Sequence, residues 1–237
     1  MSAMNLGFTL RWLGHASFHL ITPGGKHVLI DPWLDGNPKS PADVSFERVD
    51  LILVTHGHGD HVGDTVRLAA QFDCPVFCGY ELYCLLKGKG VTKASGMGKG
   101  GTQRALGLAV TATHAIHSSS LDEAGRAYAG EPMGFVVTLE NGERIYFAGD
   151  TGPMADMAVI AELYSPTVAV LPMGDLYTMG PREAAWAAQK LGVRYVVPMH
   201  YGTFDALTGT PDALRAELKA RGCSAEVIAP EPGGTIR

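Results

Sequence analysis

The sequence predicts an α/β fold in which two β-sheets pack face to face and helices cover their outer surfaces. Short apolar runs rich in β-branched residues alternate with segments of helical periodicity. Hairpins come near the start of each half of the chain, and strands then alternate with helices. Because a length of 237 residues suits one such unit, we expect a single domain over residues 1–237.

The strands are predicted from apolar runs that end at turn residues. Pro23-Gly24-Gly25 and Asn141-Gly142 each separate two such runs, which is typical of hairpin turns. The predicted strands are Phe8–Leu13, Ser17–Ile21, His27–Ile30, Leu51–Val54, Val76–Cys78, Leu108–Thr113, Phe135–Leu139, Ile145–Ala148, Val168–Leu171, Tyr195–Pro198 and Ala225–Ile228.

The helices are predicted from periodicity and from the residues at their ends. Pro181 and Pro211 stand where a first helical turn tolerates proline. A further helix is expected to begin near Glu81, and the segment Gly88–Gly101, rich in Gly and Lys, is expected to be a flexible surface loop. The other predicted helices are Val62–Gln71, Ala155–Tyr164, Arg182–Leu191 and Asp212–Arg221.

Composition and charge exclude several classes of protein. A hydrophobic share of 46% beside 18% charged residues is ordinary for a globular domain and not for a disordered chain. The net charge of -5 gives no general attraction for nucleic acid or for an anionic membrane. No apolar run approaches the ~20 residues of a membrane span, and no signal peptide is visible. We therefore expect a cytoplasmic protein with a small-molecule substrate, without nucleic-acid or membrane partners; a homo-oligomer stays open.

The cysteines fit a reduced, buried role. Cys74, Cys78, Cys84 and Cys223 lack the paired short spacing of a zinc ribbon. Free cysteines of this kind are usually buried in apolar surroundings, and this is the prediction for all four.

A potential metal-binding motif follows directly on an apolar strand. The run Leu51–Val54 is succeeded by the letters THGHGDH. In an extended turn His56 and His58 share a face, because side chains two residues apart point the same way. Asp60 and His61 then fall in the first turn of a helix. Imidazole and carboxylate groups suit Zn, Fe, Mn and related ions, so the motif predicts ligands for two neighbouring ions.

Further polar groups follow other predicted strands. Sites in α/β folds form outside the carboxyl ends of the strands, so these groups are expected at the same edge as the motif. They are Asp31 after Ile30, His114 and His117 after Leu108–Thr113, Asp150 after Ile145–Ala148, Asp175 after Val168–Leu171, and His200 after Tyr195–Pro198.

The motifs together resemble one known family. THGHGDH, AIHSS, GDTG and PMHYGTF occur in this order, with GH at 14–15, IDP at 30–32, MGD at 173–175 and TMGP at 178–181. This pattern resembles the metallo-β-lactamase superfamily, and within it a bacterial group of metal-dependent hydrolases related to L-ascorbate-6-phosphate lactonase. The resemblance covers nearly the whole chain and implies a four-layer αββα sandwich, the metallo-β-lactamase fold.

The resemblance also implies a ligand set. It assigns His56, His58 and His117 to a first ion, and it assigns Asp60, His61 and His200 to a second, with Asp150 bridging the two. His117 is preferred over His114 because it stands directly before the Ser-Ser run. The expected cofactors are two divalent ions, zinc first, with Mn, Fe or Ni as alternatives.

Differences between this sequence and related enzymes narrow its predicted function within the superfamily. The β-lactamases proper have a cysteine ligand to the second ion, and no cysteine here lies near a ligand motif. The glutathione-binding helices of glyoxalase II-like enzymes, the tRNA-holding arm of RNase Z-like enzymes and the second domain of RNase J-like enzymes are not expected here.

Four more residues are candidates around the ligands. Asp31 is expected to orient a ligand histidine by a hydrogen bond, with a strand-end cap as its alternative. His15 either lines the site or caps a strand. Asp175 and Thr178 either shape the pocket or form a helix-start network before Pro181. His19 and His27, by contrast, are expected to be ordinary strand residues.

The predicted function is hydrolysis of a small ester, lactone or phosphoester by a hydroxide that two metal ions activate. Asp60 or Asp150 passes the proton to the leaving group, and the sequence does not choose between them. The alternatives are a phosphodiesterase or nuclease of the same superfamily, and a non-catalytic metal-binding module. The basic stretch Lys87–Arg104 has few aromatics for stacking on bases, but its cations could hold one phosphate or carboxylate of a small molecule.

Overall fold

The computed structural model describes residues 6–122 and 125–237. Its first sheet has the strand order β16-β1-β2-β3-β4-β5-β6. The strands are β1 (Thr9–Trp12), β2 (Phe18–Ile21), β3 (His27–Ile30), β4 (Leu51–Leu53), β5 (Val76–Gly79), β6 (Ala94–Met97) and β16 (Thr235–Ile236). Strands β3 to β6 run parallel to one another, so their carboxyl ends lie at one edge.

The second sheet has the order β15-β14-β13-β12-β11-β8-β7. Its strands are β7 (Thr102–Ala105), β8 (Leu108–His114), β11 (Met133–Thr138), β12 (Arg144–Phe147), β13 (Val168–Pro172), β14 (Tyr195–Met199) and β15 (Glu226–Val227). Strands β12, β13 and β14 are parallel. Strand β8 has the same direction, because β8 and β12 are both antiparallel to β11. A small ribbon pairs β9 (Ser120–Leu121) with β10 (Ala127–Tyr128).

Two sheets and two layers of helices give four layers. The inner faces of both sheets share one apolar core, in which the rings of Phe18 and Phe147 lie 6.2 Å apart. A second cluster packs the outer face of the second sheet against α4 (Asp156–Tyr164), α5 (Pro181–Leu191) and α6 (Pro211–Ala220). A third packs the first sheet against α2 (Thr65–Phe72) and α3 (Tyr80–Gly88). The αββα sandwich is thus confirmed.

The helix predicted at Val62–Gln71 is interrupted. The short helix α1 (Gly59–Val62) ends at Gly63, whose φ is 39°, and α2 begins after it. A side chain at Gly63 would meet the backbone of Trp33 within 2.5 Å, so glycine is required by close approach. Asp64 accepts hydrogen bonds from the backbone N–H groups of Leu34 and Asp35 and ties the break to the loop after β3.

Two other expectations were wrong. The segment Gly88–Gly101 is not all loop, because it contains β6, which pairs with β5. Cys74 and Cys78 are buried as expected, but Cys84 is exposed on α3 and Cys223 is half-buried.

The structure also adds the short strands β7, β9, β10 and β16. Among the described residues, no helix has the length and apolar character needed to cross a membrane.

Candidate metal centre

Three histidines form the first group of candidate ligands. His56 and His58 follow β4, and their Nε2 and Nδ1 atoms lie 3.0 Å apart. The ring of His117, which follows β8, lies 5.1 Å from that of His56 and 5.2 Å from that of His58. One ring nitrogen of each lies within 4.8 Å of the others. A Cβ on Gly57 would collide with Ala129, so the absence of a side chain lets the β9–β10 ribbon pack against this turn.

The second group contains His15, Asp60, His61 and His200. Their ligand atoms also lie within 4.8 Å of one another. Asp60 Oδ2 is 3.9 Å from the Nε2 atoms of both His61 and His200, and 3.0 Å from His15 Nε2. The two groups together contain every residue that the ligand set of the sequence assigns to one ion or the other.

Asp150 contacts both groups from the end of β12. Its Oδ2 lies 3.4 Å from His61 Nε2 and 3.1 Å from His200 Nε2 on one side. On the other side it lies 3.5 Å from His117 Nε2. Asp150 is therefore the carboxylate placed between the two groups.

Asp31 accepts hydrogen bonds from two residues of the THGHGDH motif. Its Oδ2 accepts hydrogen bonds from His61 Nδ1 and from the Thr55 hydroxyl, both at 2.7 Å, and its Oδ1 accepts one from Thr55 N at 2.8 Å. Because Nδ1 of His61 is engaged, Nε2 is the nitrogen left for an ion. Asp31 thus orients a histidine that is a candidate ligand, and its role at a metal site stays a prediction.

The backbone is strained at three of these residues. His15, Asp31 and His200 have φ values of 54°, 46° and 57°, a left-handed region that costs a non-glycine residue roughly 1–2 kcal/mol. The surrounding structure enforces these conformations: His200 N donates to His15 O at 3.0 Å, and Asp31 N donates to Leu53 O at 2.9 Å. Strain of this kind clusters at functional sites.

The pKa values show how the charges of the cluster are arranged. Burial lowers the pKa of His56 well below its usual value, and the neighbouring His61 lowers it further. Burial opposes the charge of His61 too, but Asp150, Asp31 and Asp60 raise the pKa of that imidazole well above its usual value. Burial alone would raise the pKa of Asp150, yet His61 and His200 hold it well below the usual range. Asp150 is therefore ionised and His56 neutral at pH 7, which are the metal-binding forms of these side chains.

The donor set fits divalent ions. His61 Nε2, Asp150 Oδ1 and His200 Nδ1 are buried among the described residues without a hydrogen-bond partner. Buried polar atoms are rarely left unpaired, and His61 Nε2 lies between two carboxylates at 3.4 and 3.9 Å. A cation bound there would satisfy it, and mixed imidazole and carboxylate ligands suit Zn, Mn, Fe or Ni.

Three sequence candidates lie apart from these contacts. His114 Nδ1 lies 3.0 Å from Lys99 Nζ, and His114 is in none of the metal-capable groups of the described residues. The Asp175 carboxylate accepts a hydrogen bond from Leu176 N, and Thr178 Oγ1 donates to Met179 O. These local bonds build the loop before α5, and a role for Asp175 and Thr178 at the pocket stays a prediction.

Comparison with known proteins places the chain in a family. The model of the β-lactamase superfamily domain matches residues 26–201. The chain is 47% identical to a UPF0173 metal-dependent hydrolase of Solibacter usitatus over 229 residues, which cover 96% of this chain and 99% of that protein. It is 45% identical to a UPF0173 metal-dependent hydrolase of Rubrobacter xylanophilus, covering 96% and 95%. The chain belongs to the metallo-β-lactamase superfamily. Within it, the chain belongs to the UPF0173 metal-dependent hydrolases.

Solved structures agree with this assignment. Igni18, a metallo hydrolase from Ignicoccus hospitalis, is 35% identical with a TM-score of 0.85, and the match covers 97% of both chains. An isothiocyanate hydrolase from Delia radicum gut bacteria has a TM-score of 0.74 at 21% identity, over 97% of this chain and 98% of that one. The second likeness shows the shared fold alone. The metal-capable groups of the described residues include no cysteine.

The metallo-β-lactamase site also has a partner that was not among the sequence candidates. Thr203, in the PMHYGTF motif, lies with its Oγ1 2.8 Å from His15 Nδ1. Burial lowers the pKa of His15 to about 4, so its imidazole is neutral at pH 7. Because the Asp60 carboxylate can only accept, His15 Nε2–H donates to it, and Nδ1 accepts from the Thr203 hydroxyl. The order Thr203–His15–Asp60 thus fixes the tautomer and the orientation of His15.

We expect Thr203→Val to weaken metal binding and lower kcat by about 10-fold, the lower end of losses when the outer partner of a ligand is removed. Valine keeps the shape of threonine and removes only the hydroxyl that donates to His15. Thr203→Ser keeps the hydroxyl and is expected to stay close to wild type. Zinc affinity from competition with a chromophoric chelator, measured beside kcat, checks both variants. Equal affinities for the valine and serine variants would show that the hydrogen bond to His15 has no such role.

Proposed function

We propose that this chain hydrolyses a small ester, lactone or phosphoester with two divalent ions held by the two groups of ligands. His56, His58 and His117 would hold one ion, Asp60, His61 and His200 the other, and Asp150 would contact both. The supporting observation is the position of Asp150 Oδ2, within 3.1 to 3.5 Å of histidines from both groups. When bound, such ions lower the pKa of a bound water from 15.7 to about 7 and polarise the group under attack.

The chain itself supplies the path of the proton. In ester hydrolysis the water oxygen bonds to the acyl carbon and the acyl C–O bond breaks; one proton of the water goes to the leaving oxygen and the other is released from the acid formed. Asp60 is our choice as proton carrier. Its side chain is 29% exposed and hydrogen-bonded to His15, whereas that of Asp150 is 3% exposed and surrounded by histidines. Asp150 would position groups and not exchange protons with solvent.

The placement of the cations argues against a nuclease. The basic stretch Lys87–Arg104 does not form one patch beside the ligands. Lys93 pairs with Asp73 at 2.7 Å and precedes β6, at the edge opposite the ligands. Arg104 lies across from Ala109 at the start of β8, whereas the ligands follow its end. Lys99 is at the ligand edge, but it is paired with Glu131 at 2.8 Å. A polyanion would find no continuous basic track in this stretch, so we propose a small-molecule substrate.

A substrate panel tests this proposal. Metal-loaded protein is incubated with labelled RNA, with single-stranded DNA, and with a set of small lactones, carboxylic esters and phosphoesters, each at two salt concentrations. We expect turnover of members of the small-molecule set and little or none of the nucleic acids. Efficient RNA or DNA cleavage that declines steeply with salt would mean that many phosphates are neutralised along a chain, and the small-molecule proposal would be abandoned.

A further inference from the structure

Large apolar side chains are exposed around the candidate metal centre. Several loops that follow its strands carry one. Ile116 stands directly before His117, Leu176 and Tyr177 follow β13, and Phe204 follows His200. Isolated exposed apolar residues are ordinary, but their concentration at one functional edge is informative.

Phe204 forms an aromatic wall with Trp33. The two rings lie 6.2 Å apart, although they come from different halves of the chain. Each also meets the His15 ring in a T-shaped contact, Trp33 at 5.3 Å and Phe204 at 5.8 Å between ring centres. His15 in turn bonds Asp60. The wall therefore contacts His15 of the second group directly and is one side chain away from Asp60.

This wall remains open to a ligand. Phe204 is 45% exposed, and Trp33 is half-buried against the loop at Gly63. Among residues 6–122 and 125–237, no lysine or arginine forms a hydrogen bond or an ion pair with a candidate ligand. The charged partners that the ligands do have among these residues are carboxylates and imidazoles. Lys39 and Arg215 line a cavity beside Tyr201 and Gly202. Trp33 and Phe204 are not among its lining residues, and the wall offers a ligand two apolar rings.

We propose that the substrate carries an uncharged aromatic or branched alkyl group that packs against Trp33 and Phe204. This inference rests on the proposed hydrolysis and replaces the expectation of a phosphate or carboxylate held by the Lys87–Arg104 stretch. Aromatic rings stack or meet edge to face with a ligand ring, and the reacting bond would lie on the far side of His15, toward Asp60.

Phe204→Ala tests the wall, with Leu163→Ala as its control. Leu163 is exposed on α4, which packs on the outer face of the second sheet. Benzyl and methyl esters of the same acid, whose leaving alcohols have similar acidity, are compared, together with a phosphorylated lactone. We expect wild type to prefer the benzyl ester in kcat/KM by about 10-fold, as partial burial of one phenyl group allows. The preference should vanish in Phe204→Ala through KM and persist in Leu163→Ala. A preference for the phosphorylated lactone, or equal loss on both esters, would overturn the proposal.

A binding measurement separates this proposal from the hydrolase proposal. Benzohydroxamic and acetohydroxamic acids, which both bind metal centres, are titrated calorimetrically into zinc-loaded protein. Tighter binding of the phenyl compound by about 10-fold, lost in Phe204→Ala, supports the wall even if no ester is turned over. Equal binding of the two acids overturns it even if esters are hydrolysed. Light scattering of both variants tests whether the wall binds a second copy of the chain instead of a substrate. A lower mass for Phe204→Ala alone would assign Phe204 to contact between two copies and overturn the substrate role.

Discussion

Asp150→Ala is expected to lose activity by more than about 100-fold, the upper end of losses seen when only an outer partner of a ligand changes. Its carboxylate lies between the two groups of candidate ligands, 3.1 Å from His200 and 3.5 Å from His117. Metal affinity is expected to fall with activity, because the carboxylate that we propose contacts both ions is removed.

The fold should survive this change. The buried carboxylate of Asp150 is one of the groups that raise the pKa of His61 above its usual value, against the effect of burial. Without it, Asp31 still accepts a hydrogen bond from His61 and Asp60 still lies 3.9 Å from its ring, so the variant leaves no buried cation without a partner. Circular dichroism and thermal unfolding of the metal-free variant should therefore resemble those of metal-free wild type.

Asp212→Ala is the control for charge removal, because the side chain of Asp212 is 93% exposed on α6 and pairs with Arg215. Activity is measured at ordinary and at high metal concentration. Partial recovery at high metal would fit weakened binding. Wild-type turnover by Asp150→Ala at ordinary metal concentration would refute the bridging role of Asp150.

The second large effect concerns metal content. We expect protein reconstituted with excess zinc or manganese to hold about two ions per chain, since Asp150 lies between two groups of candidate ligands. Ions that bind only the folded chain stabilise it, by ≈ 2.7 kcal/mol for a site at 100 times its Kd. Chelation should therefore lower the melting temperature clearly. Elemental analysis and calorimetry of loaded and chelated protein measure the two quantities.

His200→Ala should keep about one ion, because it removes a ligand of the second group and leaves His56, His58 and His117 in place. His27→Ala is the matched control, since His27 bonds His19 in the β2–β3 hairpin, away from the ligands. It should keep the wild-type content. A stable value of one ion in wild type, unchanged in His200→Ala, would contradict the second site.

The sequence predicted best where a long apolar pattern coincided with end signals. Val168–Leu171 and Tyr195–Pro198 are strands within a residue or so of their predicted ends, and Pro181 and Pro211 begin helices. The strand β6 was not predicted, because this segment is rich in Gly and Lys and pairs through backbone groups that leave no side-chain pattern. The helix break at Gly63 was not predicted either, since it depends on the close approach of Trp33 from another loop.

The sequence by itself determined the superfamily, the fold and the list of candidate ligands. Four of these ligands lie within six letters after one strand, and the others follow strand ends that parallel topology brings to one edge. The order of residues along the chain is enough to identify these features, so no tertiary contact was needed to find them. It does not determine which of the candidate side chains contact one another.

Only the tertiary structure decided the surroundings of the ligands. His15 and Thr203 are 188 positions apart and bond at 2.8 Å because β1 and β14 end at the same edge of the two packed sheets. The same packing joins Trp33 to Phe204 and turns His114 toward Lys99. It also separates the cations of Lys87–Arg104, which adjoin in sequence but lie at different edges. Distance along the chain says little about such contacts, because the register of strands and the course of loops set which side chains are neighbours in space.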